Sequence, residues 1–209
     1  MKFSSFCILF DMRTILEKNE ATIIRDRSSF IGIVLHATSK EIVEQYLKEI
    51  RKEYPKAKHY CYAYIIDGLK KASDDGEPSG TAGRPLLELL EKRDFNQVLL
   101  VVVRYFGGIL LGASRLLSTY IEAGSAVLNA IETYQIKEKF VYHINVSYSE
   151  FERLKYLAKR LSFSLENVTY ETRINADILI EESLIHQLIE EFPNNSIDVF
   201  GKKIVYEKE

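Results

Sequence analysis

Six of the ten glycines in this 209-residue chain fall between Gly76 and Gly112, with Pro78 and Pro85 among them. Glycine is needed where backbone takes positive φ or lies against another group, so irregular loops must concentrate in this stretch. From Ile131 to the C-terminus there is one glycine, Gly201, and one proline, Pro193. That half reads as regular elements joined by short connections. A chain of this length makes one large domain or two small ones. The change in glycine usage favours two α+β domains, over 12–133 and 137–209.

Side-chain periodicity fills in the elements. Strands are expected at 20–25 and 29–36. Ser39 then caps a helix carrying Ile42, Val43, Tyr46, Leu47 and Ile50 at helical spacing, with Pro55 beyond its end. A strand at 59–66 leads into a loop at 67–84 and a short helix from Pro85. A strand is expected at 98–106, whose run Val98–Val103 is apolar at successive positions, as a strand covered on both faces requires. After Gly107 and Gly108 a helix is expected at 111–131. The second half reads strand 139–147, helix to 161, strands 163–170 and 173–181, helix 183–191 and strand 197–206. This β-α-β-β-α-β order is that of a ferredoxin-like unit.

Composition excludes several classes. Hydrophobic residues are 46% and charged residues 28%, which rules out wholesale disorder. The net charge of -2 gives no global basic field for nucleic acid. Cys7 and Cys61 are too few for a disulfide framework or a closed zinc site, so a reduced, cytoplasmic protein is expected. The apolar run at 6–10 ends at Asp11, too short for a signal sequence or a membrane span. A start at Met12 would leave a conventional polar N-terminus.

The loop Ser73-Asp74-Asp75-Gly76-Glu77-Pro78-Ser79-Gly80-Thr81-Ala82-Gly83-Arg84-Pro85 is the most unusual segment. Its glycines can turn backbone N–H groups towards an anion, and its carboxylates can hold a hard cation. The spacing does not fit an EF-hand. A surface turn whose Asp and Ser side chains bond their own backbone is the plainer explanation. Downstream, Arg104 follows an apolar strand and precedes Gly107, Gly108 and Gly112, where a helix start offers open amides. A buried Arg104 needs an acid, and Asp74 or Asp75 is the expected partner. The spacing is neither a dinucleotide fingerprint nor a P-loop. No complete nucleophile motif is present, so no catalytic residue, metal or cofactor is assigned. His59 and Cys61 share one face of their strand, and Tyr60, Tyr62 and Tyr64 the other. Lys48, Arg51, Lys52, Lys56, Lys58 and His59 form the only dense basic stretch, which alternates with Glu44, Glu49 and Glu53 and reads by default as a solvated face. With Arg84, Arg104 and Arg115 it could make a local phosphate-binding patch. Two alternatives stand beside RNA binding: a metal-dependent hydrolase using Asp74, Asp75 and Glu77 with His59 nearby, and a protein-interaction module built on the Tyr60 face.

Taken together, Phe30-Ile31-Gly32, His59-Tyr60-Cys61-Tyr62-Ala63, the 73–85 loop and Val102-Val103-Arg104-Tyr105-Phe106-Gly107-Gly108-Ile109-Leu110-Leu111-Gly112 resemble the IMPACT family, in its bacterial YigZ-type branch. The resemblance covers about 20–130, and beyond that it holds only by pattern. It implies a first domain like domain IV of elongation factor G and a domain of a small-subunit ribosomal protein, followed by a ferredoxin-like domain. It also implies a role in controlling translation, which in eukaryotes runs through a protein partner that activates an initiation-factor kinase. The expectation is therefore an RNA- or ribosome-associated protein, with a further partner in the translation machinery and no membrane attachment. The family usually has a small residue and two glycines after Gly112. Here Ala113-Ser114-Arg115 narrows that helix start while adding a charge.

Overall fold

The computed structural model describes residues 12–193, 195 and 197–209. The apolar run at 6–10, Cys7 and the segment preceding Met12 lie outside the described residues. The chain divides into two compact units, one reaching Gln135 and taking in Glu207–Glu209, the other Ile136–Tyr206. It is α+β, with two sheets.

In the first unit a short β1 (Arg13–Thr14) is followed by β2 (Asn19–Arg25), β3 (Ser28–His36), α1 (Lys40–Glu53), β4 (His59–Ile66), β5 (Leu69–Ser73), α2 (Gly83–Lys92), β6 (Val98–Tyr105) and α3 (Ala113–Leu128). The sheet order is β2-β3-β6-β4-β5, with every pair antiparallel. The unbroken apolar run Val98–Val103 of β6 is explained by its central place. Val98, Leu100 and Val102 join a core with Leu86, Leu90, Tyr120 and Ala123 of α2 and α3. Leu99, Val101 and Val103 join another with Val43 and Ile50 of α1. Ser39 caps α1, its hydroxyl accepting from the Ile42 N–H at 3.3 Å.

The expected loop at 67–84 is corrected: its first part is a strand. β5 pairs with β4 from Tyr62↔Ser73 to Ile66↔Leu69, turned by Asp67 (φ 47°) and Gly68 (φ 86°). Asp-Gly is a strong hairpin turn. The strand was hidden because Leu69, Lys70 and Lys71 are exposed at the sheet edge, without apolar alternation. Lysine on such an edge also discourages pairing with other chains.

The second sheet is built from β7 (Tyr134–Val146), β8 (Ser164–Tyr170), β9 (Ile174–Ile180) and β10 (Ile197–Lys208), with α4 (Tyr148–Leu161) and α5 (Ile185–Glu191) between them. β7 lies between β9 and β10, and β8 forms the far edge. The start of β7 also pairs with β1, Thr14 facing Tyr134. Ile144 and Val146 of β7 and Ile174, Ala176 and Ile178 of β9 alternate along their strands, so their side chains share one face. Phe151, Leu154 and Leu157 of α4 and Leu188 of α5 cover that face and complete an apolar core. α4 opens on a reciprocal cap, the Ser147 hydroxyl accepting from the Glu150 N–H while the Glu150 carboxylate accepts from the Ser147 N–H. No described helix is long and apolar enough to cross a membrane.

Candidate functional site

The loop between β5 and α2 is organised by Asp74. Its carboxylate accepts from the N–H groups of Gly80 (2.9 Å), Ala82 (3.0 Å) and Gly83 (2.8 Å). It thereby supplies the helix cap that Ala82, at the capping position of α2, cannot. Asp75 turns the chain at φ 41° and accepts from the Tyr60 N–H (2.7 Å) and from Arg51 (2.9 Å). Its carbonyl accepts from His59 Nδ1 at 2.8 Å. The Ser73 hydroxyl accepts from the Asp75 N–H, and Thr81 Oγ1 donates to the Pro78 carbonyl. Gly83 is required by packing: a Cβ there would sit 2.6 Å from the Ser73 backbone. Gly76 and Gly80 take positive φ at the exposed rim, where Ser79 is also exposed.

Glu77 is the one loop carboxylate that turns inward. It lies 2.6 Å from Arg104, and the two are buried together. This corrects the expected Asp74 or Asp75 partner. Their short side chains are held by backbone amides and Arg51, and the extra methylene of Glu77 reaches the strand. Tyr120 of α3 donates to the same Glu77 oxygen at 2.7 Å, and His59 Nε2 stands 3.8 Å away. The Cys61 sulfur lies 3.3 Å from the Tyr120 hydroxyl and 3.0 Å from the Asp74 carbonyl. Burial pushes the Cys61 thiol up to about 12 and the Tyr120 hydroxyl far above its ordinary range. Both are neutral near pH 7, which suits hydrogen bonding and opposes nucleophilic chemistry. The Arg104 guanidinium lies 5.2 Å from the centre of the Phe30 ring and 5.5 Å from that of Phe106. Tyr120 was missed in the sequence because a tyrosine on an apolar helix face looks like any core aromatic.

The glycines after β6 are placed by close approach and by turning. The N–H of Gly107 donates to the Ser28 hydroxyl at 3.1 Å, and a Cβ on Gly107 would lie 2.1 Å from the Arg27 carbonyl carbon. Gly108 and Gly112 have positive φ. α3 has no side-chain cap, and Ala113, Ser114 and Arg115 at its start are exposed. Arg115 pairs with Asp26 (3.0 Å) and Arg84 with Glu88 (2.8 Å), all on the surface. Arg104, by contrast, is only 5% exposed. The surface patch envisaged from Arg84, Arg104 and Arg115 therefore loses its middle member, which serves the interior instead.

Two other readings meet obstacles. The Asp74, Asp75 and Glu77 carboxylates have amide, arginine and tyrosine partners, and among the described residues no group of three or more His, Cys, Asp or Glu side chains could hold a metal ion. Tyr60 and Tyr64 are buried in the core beneath α1, so the Tyr60 face is no open docking surface.

The region that builds this network is matched by a family model, and the likeness to known proteins extends beyond it. The Impact N-terminal domain family matches residues 26–128. Over 199 residues the chain is 32% identical to IMPACT family member YvyE of Bacillus subtilis, covering 92% of each chain. It is 29% identical over 171 residues to IMPACT family member YigZ of Escherichia coli, covering 79% of this chain and 82% of that one. A crystal structure of a hypothetical protein shares the fold, with a TM-score of 0.61 and 23% identity over 90% of this chain and 96% of that chain. The full-length likeness to YvyE and the domain match around Glu77 and Arg104 establish that the chain belongs to the IMPACT family.

Proposed function

We propose that this protein is a cytoplasmic RNA- or ribosome-associated factor that acts in translation. The observation that carries the reading is the surface at the start of α3, where uncapped amides, Gly108, Gly112 and the exposed Arg115 meet. Amides at a helix start and a nearby arginine are suited to phosphate. The acidic loop does not oppose this, because its carboxylates are answered by loop amides, Arg51 and Arg104. Family membership supports a translational role through the resemblance described above. We read the second unit as ferredoxin-like, on its β-α-β-β-α-β order and its β10-β7-β9-β8 arrangement. We read the first as related to domain IV of elongation factor G.

Sedimentation of cell extract tests the proposal, comparing wild type with Arg84→Ala/Arg115→Ala at low and moderate salt. Both arginines are exposed, so the variant leaves the buried Arg104 intact. Wild type should travel with ribosomal subunits or RNA at low salt and dissociate as salt rises. The variant should bind more weakly, with a salt dependence reduced by roughly one unit of slope for each lost phosphate contact. Failure of wild type to sediment with either at both salts would end the reading.

A further inference from the structure

The turn after β6 exposes apolar side chains at the place where the fold should hide them. Phe106 is 45% exposed, Ile109 42% and Leu110 87%. Around them, one end of the sheet gathers cations. The Arg27 backbone abuts Gly107, the Lys58 N–H donates to the Arg104 carbonyl at 2.8 Å, and Lys56 precedes Lys58 in the same connection. Arg27, Lys56 and Lys58 are exposed, and Arg115 closes the other side against Asp26. This end is basic in a chain whose net charge is -2.

We infer that the 106–110 turn is a stacking site for unpaired nucleotides of single-stranded RNA, with Phe106 as its platform. The inference rests on the RNA-binding reading above and specifies its ligand. Phe106 is buttressed by the Arg104 guanidinium, which Glu77 holds in place and which also lies against Phe30. A ring held on one side by a buried guanidinium loses less entropy on binding than a free one. A base in a duplex is already stacked, whereas an unpaired base offers a free face. Leu110, 87% exposed in the same turn, offers further apolar surface, and the surrounding cations meet the phosphates. An apolar protein surface would gain little from this basic rim.

The test measures binding of full-length protein to a labelled 12-nucleotide single strand and to a blunt 12-base-pair duplex, at low salt. Wild type should prefer the single strand. Phe106→Leu keeps apolar area but removes the aromatic face, and should weaken single-strand binding by roughly 5- to 150-fold with little effect on the duplex. Phe106→Tyr should restore it. Lys56→Ala/Lys58→Ala should weaken both ligands. Equal affinity of wild type and Phe106→Leu for the single strand, with loss in the lysine variant, would overturn stacking and leave RNA binding standing. Absence of wild-type binding to either RNA would overturn the stacking site, and sedimentation with ribosomal subunits would then decide the wider reading. Leu110→Ser, altered at an open position that cannot threaten folding, supplies a second readout: unchanged single-strand affinity in it and in Phe106→Leu overturns the inference.

Discussion

The two units use polar residues to different extents. The first takes charge into its interior: Glu77, Arg104 and Tyr120 are buried as one connected group beneath a glycine-rich loop. The second keeps an apolar core and buries Lys139 of β7, while ion pairs such as Lys202–Glu138 and Lys203–Glu166 lie at its surface. Glycine follows the same division, with Gly201 alone in the second unit. Burying an ion pair costs desolvation that an apolar replacement would avoid, so its presence is weak evidence for stability and better evidence for positioning. In the first unit it fixes the loop to β6 and α3. In the second, ordinary caps and apolar packing suffice.

The contrast is tested most severely by Glu77→Ala, which strands Arg104 and removes the acceptor for Tyr120. It should cost about 3–5 kcal/mol, read as a lower denaturant midpoint. Replacing Arg104 as well, in Glu77→Leu/Arg104→Met, should recover much of the loss. A Glu77→Ala protein as stable as wild type would show that the loop is not held from within.

The second unit should respond to its helix cap by a smaller amount. Ser147→Ala removes the hydroxyl that caps α4, at a cost of about 1 kcal/mol. The same hydroxyl, then the Ser147 N–H and Asn195, holds the Glu150 carboxyl down at about 2 against its ordinary 4.5. A depressed carboxyl contributes stability that is full above pH 4.5 and is lost as pH falls towards 2. Acid unfolding of Ser147→Ala should therefore lose part of this dependence, and a titration of stability between those limits checks it.

The smallest change concerns Cys61. With its thiol buried and pushed up to about 12, it should stay unmodified by a thiol reagent at pH 8 in native protein. Cys7→Ser isolates the measurement, and denaturant should expose the site. Rapid native labelling would mean that the loop over Asp74 opens readily.

Much of the architecture was legible in the chain because it rests on local patterns. Alternation, helical spacing and Ser39 mark elements through interactions only a few residues apart. The unbroken apolar run at Val98–Val103 likewise announced a strand covered on both sides. The edge strand Leu69–Ser73 was not visible in this way, since an exposed strand carries no buried face to print a pattern. The site lay further from view. Glycine density located the loops, but which carboxylate met Arg104 depended on where β5 placed Asp74 and on how far each side chain could reach. Glu77, Arg104 and Tyr120 are far apart in the chain, and only the packing of α3 and the loop against β6 brings them within hydrogen-bond distance. Local pattern was thus enough to set the elements and the positions where irregular backbone had to occur. The assembled fold chose which charges went inside and which stayed open to a ligand, because burial and partner choice are set by distances that no local pattern encodes.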